Sequence, residues 1–148
     1  MHYETLDYKG GDTVLEAYIS YEDFPESGDY KALIQSAHDW SVRRQFATET
    51  ADTIADLGYV GFAVGMYGKG VFGEDGNVDL NSSLMNPLAN DRAALRRSML
   101  VGLDLPKVDP SKVAAMGFCF GGMCVLGLAR AGAKERTVVS IVNRGRRG

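Results

Sequence analysis

Near the start of the chain, the mix of aromatic, apolar and polar residues in "HYETLDY" (residues 2–8) and again in "VLEAYISY" (14–21) is strand-like. Between them "KGGD" supplies turn chemistry, so the pair predicts an antiparallel hairpin. A polar stretch, "FPESGDY", separates this hairpin from "KALIQSA" (Lys31–Ala37), a short, largely apolar strand candidate. From Phe46 to Leu57 the apolar positions Phe46, Ala47, Ala51, Ile54, Ala55 and Leu57 recur at helical intervals, and Gly58 stands where a helix stops. "YVGFAV" (59–64) has no polar side to show to water and reads as a buried strand. Residues 65–81 are glycine-rich and polar, which predicts a loop, and the next helix is expected over Pro87 to Leu103 with Pro87 near its first turn. "KVDPS" then predicts a turn, "KVAAMG" a buried strand, "FGGMCVLGLARAG" a helix ending at Gly132, and "TVVSIV" a last strand before "NRGRRG".

From Lys31 onward strand and helix alternate, which predicts an α/β fold: a mostly parallel sheet with flanking helices and the leading hairpin as antiparallel strands. A length of 148 residues suits one domain, taken as 1–148, with 143–148 read as a basic, disordered tail. A net charge of −3 gives no reason to expect nucleic acid or an anionic membrane as partner. The polar start lacks the apolar core of a signal peptide, and no apolar run is long enough to span a bilayer, so a cytoplasmic protein is expected. Cys119 and Cys124, five apart on one expected helix, are poorly placed to bridge each other.

The chemistry concentrates in "AAMGFCFGG" (114–122), where a strand meets a helix with Gly-x-Cys-x-Gly-Gly at the junction. That is the nucleophile-elbow arrangement with cysteine in place of serine. Side chains at Gly117 or Gly121 would collide with the neighbouring strand and helix, and Gly122 lets the helix pack close to the sheet. Free N–H groups and the partial positive charge at the helix start favour thiolate at Cys119. The Phe120 N–H is then placed to hold a developing oxyanion. The simpler alternative is that Cys119 is a small buried residue and the glycines serve packing.

With this motif the chain resembles the dienelactone hydrolase family of α/β-hydrolases, over roughly residues 30–142. "GFCFGG" is the most specific match, joined by "DLGYVGFAVGMYGKG" and "AHDWSVRRQFATETADTIA". The resemblance implies Cys119 as nucleophile, Asp39 as an acid beside the resting thiol, and the Trp40 N–H as second oxyanion donor. It sets Lys69 where some members bind a substrate carboxylate with arginine, and Tyr67 along the same site. A lysine offers a point charge there, not a planar fork. The implied activity is hydrolysis of lactone or ester bonds in small carboxylated substrates, with no cofactor and no metal. The chain departs from the family at Gly65, where an aspartate is usual, and at Val42 and Arg44, where glycine and asparagine are expected.

In α/β-hydrolases the acid and then the histidine follow the nucleophile along the chain. After Cys119 there is one acid, Glu135, and no histidine; His2 and His38 both lie upstream. The expectation is therefore the N-terminal part of such a hydrolase, truncated after the strand near Val142, with the triad acid and histidine absent. A sheet stopped there would leave an open edge, through which self-association is expected. The alternative is a catalytically inactive remnant that binds at most a ligand or partner. "GKGVFG" (68–73) spells a dinucleotide motif, but acidic loop follows it rather than a helix. Asn81-Ser82-Ser83 spells a glycosylation sequon that carries no meaning without a secretory signal.

Overall fold

A computed structural model of the chain describes residues 1–23, 31–37, 44–74, 76–91, 93–94, 108–118, 124, 126 and 138–142. The opening hairpin forms as the two strand-like stretches and their turn predict. Strands β1 (His2–Gly10) and β2 (Thr13–Tyr21) pair antiparallel in register from His2↔Tyr21 to Gly10↔Thr13. The two-residue turn needs positive φ, and Gly11 provides it at 68°. Strand β3 (Lys31–Ala37) and β4 (Val60–Ala63) pair parallel, and helix α1 (Arg44–Asp56) connects them. Strand β5 (Val108–Phe118) lies parallel to β3 on its other side, and β6 (Val138–Val142) lies parallel to β5. The described strands form one sheet in the order β1-β2-β4-β3-β5-β6, so the hairpin joins the parallel part through β2 and β4.

Gly58 ends α1 as expected, with φ of 90° and its N–H donating to Ala55 O at 2.8 Å. Small residues set how closely α1 meets the sheet. Ala47 and Ala51 pack with Ala63 and Tyr18, and a side chain at Gly61 would stand 2.8 Å from the Ala51 backbone carbons. Among the described residues, Phe62, Leu15 and Val60 are the large apolar side chains most fully withdrawn from water.

Two element boundaries differ from the sequence expectation. Residues 78–81, expected as loop, begin helix α2 (Val78–Asn90), and Pro87 lies inside that helix rather than at the start of the next. The cause is a cap that composition hides: the Asn77 side chain accepts from the Leu80 N–H at 3.1 Å, opening a helix within polar sequence. The second difference is "VDPS", expected as a turn but carried inside β5. The register jumps from Lys31↔Val108 to Leu33↔Val113, so the strand absorbs the proline segment as an irregularity. Residues expected beyond 94 in that second helix, and the tail 143–148, lie outside the described residues.

Candidate active site

In open α/β sheets, ligands bind beyond the carboxyl ends of the parallel strands. Here those ends come together on β4, β3 and β5: Ser36 pairs with both Ala63 and Met116, and Ala37 pairs with Gly117. Gly117 is buried one residue before the end of β5. In sequence, Cys119 follows β5 directly, and His38, Asp39 and Trp40 follow β3. These four, with Phe120, Gly121, Gly122 and Val42, lie outside the described residues.

Of the two upstream histidines, His2 belongs to the opposite end of the sheet. It pairs with Tyr21, beyond the Ser20↔Gly61 rung at the amino end of β4, and its ring is held against Asp23. The second cysteine, Cys124, is fully buried, and burial pushes its thiol up to about 12. At neutral pH it is a thiol packed in the core, without nucleophilic character.

The loop leaving β4 carries Gly65, Tyr67 and Lys69. It folds back along β2, with the Lys69 N–H donating to Val14 O at 2.8 Å. Lys69 Nζ donates to Asp7 Oδ2 at 2.5 Å, and both side chains are about half exposed. That hydrogen bond, then the Asp7 charge, and more weakly Glu16, raise the ammonium's pKa above its usual value. Asp7 and Glu16 are direct cross-strand partners, a like-charge pairing that Lys69 offsets. The structure thus brings Lys69 to β1, four strand spacings from β5, about 19 Å across a flat sheet. Tyr67 is half-buried in the same loop.

Gly65 has a local reason to be glycine. A β-carbon there would overlap the Glu16 carbonyl oxygen, because the loop runs against β2. The Tyr8 hydroxyl donates to Gly65 O at 3.0 Å, and burial, outweighing that bond, pushes the phenol far above its usual range. The aspartate implied by the family resemblance has no room in this packing.

Two other motifs resolve structurally. "GKGVFG" opens no helix, since α2 starts only at Val78. Asn81 of the sequon is buried and engaged on both sides of its amide: it donates to Glu74 O at 2.7 Å and accepts from the Glu74 N–H at 2.8 Å. This latch closes the loop onto the first turn of α2; in the sequence only its place four residues after the Asn77 cap hints at it. No described helix is long and apolar enough to cross a membrane.

The model of the dienelactone hydrolase family matches residues 17–141. The protein m3DLH superposes with a TM-score of 0.78 at 28% identity, over 96% of this chain and 58% of its own. A dienelactone hydrolase-like promiscuous phosphotriesterase from metagenomic libraries superposes with a TM-score of 0.78 at 30% identity, with the same coverage. A cold-adapted esterase from an Arctic intertidal metagenomic library shares the fold, with a TM-score of 0.68 at 12% identity over 93% of this chain and 59% of its own. The chain therefore spans less than two thirds of the length of these structures. No match is found among curated proteins.

Proposed function

The chain belongs to the dienelactone hydrolase family, with its α/β-hydrolase fold, and from that premise we propose that it is the nucleophile-bearing part of a cysteine hydrolase. In this reading Cys119 attacks the acyl carbon of a lactone or ester in a small carboxylated substrate. The N–H groups of Phe120 and Trp40 receive the oxyanion, and Asp39 lies beside the resting thiol. Tyr67 and Lys69 face the substrate, and the triad acid and histidine come from outside these 148 residues.

The observation that carries the reading is the Ala37↔Gly117 rung between parallel β3 and β5. Asp39–Trp40 and Cys119 each follow, within three residues, from one side of that rung. Support for the nucleophile also comes from elimination, since burial leaves Cys124 protonated. Lys69 enters this reading with a condition: its ammonium must leave Asp7, and the loop that carries it must shift from β1 towards β5, before it meets a substrate carboxylate.

The lack of any histidine after Cys119 favours a second reading, an inactive remnant. Stopped-flow hydrolysis of an activated aryl ester by the chain and by Cys119→Ala separates the two. A stoichiometric burst, lost in the variant, is expected, because acylation needs only thiolate whereas deacylation needs activated water, a base worth about 10² to 10⁴ in rate. Sustained turnover lost in the variant would mean that a base is present, with His38 the next residue to replace. A folded chain with no Cys119-dependent burst would refute the proposal and leave the remnant.

A further inference from the structure

A cavity of about 140 Å³ lies on the sheet face that α1 covers, near the carboxyl end of β4. Its walls come from Thr5 of β1, Glu16 and Tyr18 of β2, Ala47 and Thr48 in the first half of α1, and Phe72 of the following loop. Small residues explain why the space is open. Further along α1, Ala51 meets Gly61 backbone to backbone, whereas at the helix start Ala47 has the small residues Ala63 and Gly65 among its neighbours in the cavity wall. The lining exposes mostly apolar surface, and its volume is close to that of an engineered apolar cavity that takes benzene. Its polar side chains are mostly committed elsewhere: Tyr18 donates to Asp52 at 2.9 Å and Thr48 to Gln45 O at 2.9 Å. Among the described residues Glu16 is the charged residue in the wall and no basic residue lines it; the nearby Lys69 ammonium is engaged by Asp7.

The geometry points to a binding site for a compact, ring-sized cation, an ammonium on an apolar body, with the Glu16 carboxylate as counter-charge. The apolar body replaces water against Ala47, Ala63, Val64 and the Phe72 ring, while the ammonium stays toward Glu16 at the open side. A carboxylate of the same shape meets like charge at Glu16. The site is independent of Cys119 and of the hydrolase reading.

Binding is measured by ligand-observed NMR and by melting temperature with benzylammonium, benzyl alcohol and benzoate, on the chain and two variants. Thr5→Trp fills the cavity from the edge strand, and Glu16→Gln removes the charge at almost constant volume. Thr48→Leu is the second filling variant should Thr5→Trp fail to fold. Saturable benzylammonium binding is expected, lost on filling and weakened about fivefold by Glu16→Gln, as for a partly exposed ion pair. Benzyl alcohol binding should be unchanged by Glu16→Gln, and benzoate should be weakest throughout. The proposal is overturned if neither benzylammonium nor benzyl alcohol saturates, if filling leaves binding intact, or if benzoate binds as well as the cation.

Discussion

Replacing Gly65 by alanine tests whether the close run of the loop after β4 along β2 is built into this chain. The new β-carbon would overlap the Glu16 carbonyl oxygen and stand 3.2 Å from its carbonyl carbon. Relieving the overlap needs a separation of about 1 Å. β2 resists such a shift, being paired along its length with β1 and also with β4. Overpacking of this kind costs about 1–3 kcal/mol. Withdrawal of the loop also lengthens the bond from the Tyr8 hydroxyl to Gly65 O. Tyr8 is only 8% exposed, so an unsatisfied hydroxyl there adds about 1–3 kcal/mol. The expected loss is therefore about 2–6 kcal/mol, read in urea as a midpoint lowered by about 1–3 M at unchanged slope. Gly70→Ala is the control, because φ is 73° there but nothing lies within 4 Å of the new carbon. Its cost is backbone strain alone, about 1–2 kcal/mol. A Gly65→Ala midpoint equal to wild type, or a loss no larger than that of Gly70→Ala, would refute the reasoning. Gly65→Asp should be worse still, since it adds a carboxylate beside Glu16.

Gly61→Ala should destabilise by about 1–3 kcal/mol through overlap with the Ala51 backbone, measured by the same urea transition. Phe62, which is fully buried, should cost about 3–5 kcal/mol as alanine. Tyr18 is pushed up to about 12, mainly by desolvation and then by its bond to Asp52. A phenol whose folded pKa is raised adds stability that is complete below the unfolded value of 10 and is lost as pH rises towards 12. Denaturation scans at increasing pH should show that decline, and Tyr18→Phe should make it shallower, leaving the share of Tyr8. Iodoacetamide at pH 8, followed by mass spectrometry of the folded chain, should leave Cys124 unmodified, and labelling should vanish in Cys119→Ala.

Much of the architecture was legible in the order of residues, because strand and helix periods are local properties. The hairpin, β3, α1 with its glycine stop, β4 and β6 all follow from strand-like stretches, helical spacing or short apolar runs. The start of α2 escaped because one side-chain cap, Asn77 on the Leu80 N–H, outweighs the loop-like composition around it. The proline segment in β5 escaped because a neighbouring strand holds it, and pairing is invisible along a single segment. For the candidate site, "GFCFGG" alone singled out Cys119, since the steric demand for glycine is written within six residues. What only the tertiary structure decided lies where distant segments meet. The commitment of Lys69 to Asp7 joins residues 62 apart, and the exclusion of any side chain at position 65 comes from the Glu16 carbonyl. The cavity beneath α1 draws its walls from β1, β2, α1 and the loop at Phe72. Such close approaches depend on strand register and helix distance, which packing sets across the whole sheet and no local pattern encodes.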